Sequence, residues 1–321
     1  MTQQLESPEK LFSQTYSWDA IVALSIGVLA LSIAPIFIRF SAQELGANAI
    51  IFNRMWIVTI ALGLWKIINA LLNKKSPDLS IQQHSYTLGD LALLLVSAIF
   101  NGACLVCWAW SLTQTSVANA NILHNLTPIF ATLGGWLFLG HSFDRRFVIG
   151  MLVAVGGAIS IGIGDLQIAT DTFLADGIAL LSAVFYAASF LLAERLRVKF
   201  SATTILLWCS FLSSLLLLPI VLIVEDRVFP ISLSGWLAVS VLGIVCTGMG
   251  IGAVFYSLKR VSSGFASLFL LLEPAIAAML AWVIFSESLN LLNGLAFIAI
   301  LLGIYLSQSG QRTDKVVELA E

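Results

Sequence analysis

Four polar or helix-breaking residues recur along one apolar run at the spacing of a single helix face. Asn121, Asn125, Pro128 and Thr132 stand at i, i+4, i+7 and i+11, with His124 on the flank of the stripe. Asn supplies donors and acceptors together, which suits a zwitterionic or polyhydroxylated small molecule. The same groups can instead bond neighbouring helices, and spacing alone leaves both readings open. His124 can move a proton or meet an anion near neutral pH, or it can be a satisfied packing residue. Glu273 and Pro274 stand together in the middle of another apolar run. A carboxyl group there needs a partner or a proton. Glu273 can therefore bind a proton or a cationic part of a substrate, or it can tie two helices. Pro128 and Pro274 remove backbone donors in mid-run, which kinks or breaks a helix and frees a carbonyl that can face a cavity. Tyr186, also mid-run, can stack on a substrate. Arg54 can take a carboxylate through two parallel bonds or extend to the interface. Trp108 and Trp110 can also stack on a substrate, although aromatic residues near span ends are more often interfacial anchors. Gly248 and Gly252, four apart, read as a close helix contact.

The elements that must hold these residues follow from composition. Of 321 residues, 59% are hydrophobic and 11% charged, and mean hydropathy is +0.96. Soluble globular chains carry about 25% charged residues, so soluble and disordered classes are excluded. The apolar residues fall in runs of about 20, enough to cross about 30 Å of hydrocarbon as helix. Strands would alternate polar and apolar residues, and these runs do not. Ten spans are expected, at 19–38, 47–68, 88–110, 117–139, 146–164, 174–193, 203–224, 236–257, 264–285 and 291–309. With the N-terminus in the cytoplasm, 13 of the 16 basic residues fall on cytoplasmic segments, while Arg39 and Arg227 fall opposite. That asymmetry predicts an N-in, C-in orientation. The polar first 18 residues are read as a cytoplasmic segment and the first apolar run as a retained span.

The two halves match each other. A shift of 146 carries Ser111 to Ser257, Leu126 to Leu272, Pro128 to Pro274 and Trp136 to Trp282 without a gap. It also carries Gly102 to Gly248 and Gly157 to Gly303. Five spans per half is an odd number, so the halves face opposite ways. The expected fold class is an all-α integral membrane protein of ten transmembrane helices in two inverted five-helix repeats. The repeats run over 19–164 and 174–309, with residues 310–321 as a cytoplasmic tail. Inverted repeats set a substrate site between the halves near the midplane and permit alternating access.

The segment from Ala118 to Gly140, with its Asn-Leu-Thr-Pro core, resembles the fourth-helix signature of EamA-type carriers in the drug/metabolite transporter superfamily. The segment from Leu271 to Glu287, with Leu-Glu-Pro, resembles the matching ninth-helix signature. His141 stands where the first motif usually has an acidic residue; Glu287 keeps one in the second. The resemblance implies a secondary carrier of amino acids or other small polar metabolites, more often an exporter.

The remaining classes find less support. Gly162-Ile-Gly-Asp165 matches the short string of intramembrane aspartyl proteases, but no Tyr-Asp motif accompanies it. No HExxH or GxxxxGK[ST] occurs, so no zinc or ATP site and no cofactor is expected. A facilitative channel and an intramembrane enzyme stay as alternatives. Cys104, Cys107, Cys209 and Cys246 lie in apolar runs and imply no disulfide framework. A net charge of −2 gives no reason to expect nucleic acid. The expected partners are a small-molecule substrate and the lipid bilayer, with proton coupling open through Glu273. The expected location is a bacterial inner membrane.

Overall fold

The computed structural model describes residues 18–72, 87–115, 117–162, 173–285, 291–308 and 311–312. The N-terminal segment, Lys74, Lys75, Asp165, Asp171, Glu287 and the last nine residues lie outside the described residues. The described chain is almost entirely helical. Its first half contains α1 (Trp18–Ser32), α2 (Ala34–Ser41), α3 (Ala47–Leu72), α4 (Leu88–Gln114), α5 (Val117–His124), α6 (Thr127–Leu139) and α7 (Arg145–Gly162). Next come α8 (Phe173–Leu196), α9 (Ala202–Val224), α10 (Leu233–Val241), a π-helix (Leu242–Ile251) and α11 (Gly252–Ser257). The chain ends with α12 (Ser263–Phe269), α13 (Leu272–Phe285) and α14 (Leu291–Gln308). Two short strands, β1 (Ser142–Phe143) and β2 (Gln311–Arg312), pair antiparallel.

Eight helical segments are long and apolar enough to cross a membrane: Trp18–Ser41, Ala47–Leu72, Leu88–Leu112, Asn119–Leu139, Phe173–Leu196, Ala202–Val224, Leu233–Ser257 and Ser263–Leu280. Helices α7 and α14 are outside these eight and pack along each other. Their backbones touch. A Cβ on Gly157 would lie 2.9 Å from the Ala296 carbonyl, and one on Gly150 would strike the Gly303 carbonyl. Elsewhere α3 packs on α9, α4 on α8 and α9, α1 on the π-helix and α11, and α6 on α8 and α12.

Helix ends follow local chemistry. Thr87 and Asp90 form a reciprocal capping box at the start of α4. Ser201, Ser232 and Ser262 cap α9, α10 and α12 through their hydroxyls. Gly140 ends α6 at φ 67°, a left-handed conformation that favours glycine. In the α2–α3 connection, Glu44 accepts the Ser232 hydroxyl and the Ile231 and Ser232 amides. The Ser232 hydroxyl first, and then the amides, hold the Glu44 carboxyl below its usual range. Its stabilising effect is therefore full above that range and fades as pH falls through the lowered value.

The two motif prolines sit beside helix breaks, as expected. The first break lies at Asn125–Leu126 and the second at Leu270–Leu271. Each freed carbonyl accepts a bond from within its own chain segment. The His124 carbonyl accepts the Thr127 hydroxyl at 2.6 Å, and the Leu270 carbonyl accepts the Glu273 amide at 2.9 Å. Close approach also differs from the reading of Gly248 and Gly252, where an added Cβ would make only ordinary contacts of 3.4 and 3.5 Å. The tight points are Gly243 and Gly27: a Cβ would meet Ile57 at 2.9 Å and Val254 at 2.8 Å.

His141, the departure in the first motif, belongs to a buried cluster. Its Nε2 lies 3.1 Å from Oε1 of Glu194, which is 2% exposed. The other oxygen of Glu194 accepts the Ser263 amide at 2.8 Å. The carboxylate thus joins the ends of α6, α8 and α12. Glu194→Ala is expected to lower thermal stability by about 1–3 kcal/mol, since it strands the Ser263 amide in a dry place. Glu194→Gln, which keeps an acceptor, is expected to lose less. Melting of the purified protein checks both.

Candidate functional site

The break at Asn125–Leu126 divides the polar stripe. Beyond it, Pro128 and Thr132 are buried. Thr132 donates to Met151 Sδ at 3.3 Å and closes on Gly264, where an added Cβ would come within 2.9 Å of its hydroxyl oxygen. That end of the stripe is packing between α6, α7 and α12. Before the break, Asn121 is exposed and Asn125 half-buried. The stripe is therefore not one continuous lining.

Around His124 the structure gathers an aromatic arc. The His124 ring stacks on Tyr186 of α8, with centroids 5.2 Å apart and planes at 27°. Its Nδ1 lies 2.9 Å from the Ser182 hydroxyl. Trp108 of α4 is 6.2 Å from the same ring, and its indole N–H points to Oδ1 of Asn121 at 3.4 Å. Tyr186 in turn meets Phe190 edge-on at 4.7 Å. Trp108 is half-buried here and belongs to this arc.

Tyr186 joins the arc to Arg54 and Glu273. Glu273, in the first turn of α13, and Arg54, on α3, both lie within electrostatic reach of Tyr186. They also lie within reach of each other and of Cys246. Neighbouring protein surrounds Glu273, Tyr186 and His124, yet all three keep accessible surface. His124, Tyr186, Arg54 and Glu273 thus gather at one place, between α3, α5, α8 and α13. Among the described residues, no side chain makes an ion pair or hydrogen bond with the Glu273 carboxyl. Pro274, also half-buried, follows it.

This set of side chains would suit a small molecule with an apolar or flat body and polar ends. The body would lie against Trp108, His124 and Tyr186, and the ends would meet Asn121, Arg54 and Glu273. No group of His, Cys, Asp or Glu able to hold a metal occurs among the described residues. Arg54 and Trp108 were each recognisable as possible ligands, but not as neighbours of the others: a Trp near a span end has a second common use, and the partner of Arg54 is 193 residues away. The role of stacking can be separated from that of the hydroxyl. Tyr186→Phe is expected to keep substrate affinity within a few-fold, and Tyr186→Ala to weaken it about tenfold, since an aromatic contact is worth about 0.5–1.5 kcal/mol beyond burial. Concentration-dependent transport by the two variants checks this.

The EamA-like transporter family model matches residues 18–163 and 173–308. The pseudopaline exporter CntI of Pseudomonas aeruginosa is 28% identical over 67% of this chain and 69% of its own. The uncharacterized transporter YetK of Bacillus subtilis is 25% identical over 72% of each chain. A probable terminal-alkyne amino-acid exporter of Streptantibioticus cattleyicolor is 21% identical over 84% of this chain and 86% of its own. One crystal structure superposes with a TM-score of 0.76 at 15% identity, over 95% of this chain and 99% of that one.

Proposed function

Because the chain belongs to the EamA-like transporter family, and is thus a multi-pass integral membrane protein that moves a small molecule rather than an enzyme, we propose that it is a ten-helix alternating-access exporter of amino acids or closely related metabolites. In this reading α7 and α14 are spans too, and residues 19–164 and 174–309 are inverted halves with both chain ends in the cytoplasm of a bacterium. The observation that carries the proposal is the composition of the internal site. Arg54, Trp108 and His124 come from the first half, and Tyr186 and Glu273 from the second. A site shared between two bodies changes its exposure when they rock against each other, which is what a carrier needs.

The packing supports two related halves. Gly150 meets Gly303, and Gly157 meets Ala296. A shift of 146 exchanges these two contacts, as a two-fold relation would. The breaks in the two motif helices also correspond to within one residue. The outward direction draws support from the relatives named exporters, one of them of an amino acid. Asn121, His124, Asn125 and Tyr186 are the proposed lining. Glu273 is the proposed acceptor for a substrate ammonium or a coupled proton. Pro128, Thr132 and Pro274 shape the motif helices that carry it.

The test is a profile of extracellular metabolites from cells overproducing the native protein or an Asn121→Leu, Asn125→Leu double variant at equal membrane level. Amino acids or their kin rising outside only with the native protein support the proposal. Identical profiles would remove the support for export. In vesicles, a carrier exchanges labelled for unlabelled substrate across the membrane, and a channel shows no such counterflow.

A further inference from the structure

We propose that Arg54 is the carboxylate-binding group of the transport site and that Thr247 of the π-helix is the positioning residue that aims it. This rests on the reading of the residues around Tyr186 as the site of a small transported molecule. It narrows that molecule to one bearing a carboxylate beside its ammonium group.

Arg54 bonds across to the π-helix. It is half-buried and donates through Nε to the hydroxyl of Thr247. Thr247 is 2% exposed, and its own proton goes to the Leu242 carbonyl at 3.0 Å. That carbonyl lies five residues back, the one a π-helix presents to this position. A hydroxyl has one proton, so once it is given to Leu242 the oxygen can only accept. The bond to Arg54 therefore has a fixed direction. The two helices are held close where it forms: a Cβ on Gly243 would lie 2.9 Å from Ile57 and 3.1 Å from the Arg54 carbonyl.

With Nε occupied, only the end of the guanidinium remains for recognition. Its two terminal nitrogens form a planar fork that fits both oxygens of one carboxylate. Among the described residues nothing bonds this fork, and Glu273 is near enough to act on it electrostatically without forming an ion pair. A structural salt bridge would bring the two charges together. A guanidinium fork and a carboxyl group set near each other, neither bonded to a described side chain, suit a molecule that carries both an anionic and a cationic group. The carboxylate would go to Arg54 and the ammonium to Glu273, with the remainder against Tyr186 and Trp108.

The full-length protein in liposomes loaded with the twenty common L-amino acids can be tested by counterflow of the same mixture carrying a radiolabel. Amino-acid amides serve as competitors, because they keep the ammonium and side chain but lack the carboxylate. The expected result is exchange by the native protein that the amides do not inhibit. Thr247→Val and Arg54→Gln are each expected to raise the half-saturating concentration about tenfold, the equivalent of about 1.4 kcal/mol. Thr247→Ser, which keeps the hydroxyl, is expected to restore it. Native exchange with unaltered saturation in both variants, or with amides competing as well as the acids, would overturn the carboxylate subsite and leave the carrier reading standing. A native protein that exchanges none of the mixture would overturn the amino-acid reading and the subsite together. The amide competition uses the native protein alone, so it decides the matter even if a variant fails to fold.

Discussion

Glu273→Gln is expected to slow substrate exchange in vesicles by between about tenfold and about a hundredfold and to flatten its dependence on pH. A charge-assisted hydrogen bond contributes about 1.5–3 kcal/mol, and that range of rate follows from losing one such contact to a substrate ammonium. Gln has nearly the same shape and keeps a carbonyl acceptor, so packing is conserved while the charge is lost. It also cannot take up a proton. If the carboxyl alternates between proton and ammonium, native exchange responds to an imposed pH gradient and the variant does not. An unchanged rate and pH profile in Glu273→Gln would sink both roles. That result would leave Glu273 as a group that only ties helices, which its lack of a side-chain partner among the described residues argues against.

The second large effect concerns folding. Gly303→Leu is expected to remove most of the properly folded protein, while Gly156→Leu is expected to leave it intact. A Cβ at Gly303 would lie 2.5 Å from both the Ala154 amide nitrogen and the Gly150 carbonyl oxygen. These are backbone atoms, which cannot turn aside as a flexible side chain can. Helices α7 and α14 would have to part along the contact. The Ser307 hydroxyl, 3.2 Å from the Phe147 carbonyl across the same joint, would lose that contact. Inserted bulk typically costs about 1–3 kcal/mol even where side chains can shift, so a clash between backbones should exceed about 3 kcal/mol. Gly156 is one turn-face away, exposed, with nothing within 4 Å of an added Cβ. Monodisperse yield and melting in detergent compare the two. Equal behaviour would show that α7 and α14 can separate freely.

Much of the fold could be read from the residues because lipid leaves a chain few choices. An apolar run must satisfy its own backbone, so run length alone located the helices. Pro128 and Pro274 announced the two breaks for the same local reason. What the breaks did to the stripe was not legible. Asn121 and Thr132 share a face only if the helix between them is continuous, and the turn at Asn125–Leu126 ends that register. His124 and Tyr186 were each recognisable as unusual at mid-span, but their stacking depends on how α5 rests on α8. The Arg54–Thr247 bond had no signal in either segment. A π-helix leaves no mark in the hydrophobic pattern of a run that is apolar all round, and it is the π-turn that links Thr247 to Leu242. The pairing of His141 with Glu194 was similarly out of reach: the motif marks His141 as unusual, but nothing in either segment joins it to Glu194.

The packing partners of each helix also bear on how this protein is assembled. Helix α1 lies on the π-helix and α11, α3 on α9, α4 on α8 and α9, and α7 on α14. Nearly every large contact of the first seven helices is with an element from beyond residue 172. Neither segment is therefore a self-sufficient folding unit. A ribosome that has released only the first segment has inserted helices whose proper neighbours do not yet exist. Those helices must wait in the bilayer, with polar and small-residue faces turned to lipid or to makeshift partners, until the rest of the chain arrives. Translation beyond α7 thus opens a window in which membrane chaperones and quality-control proteases would find this chain most vulnerable.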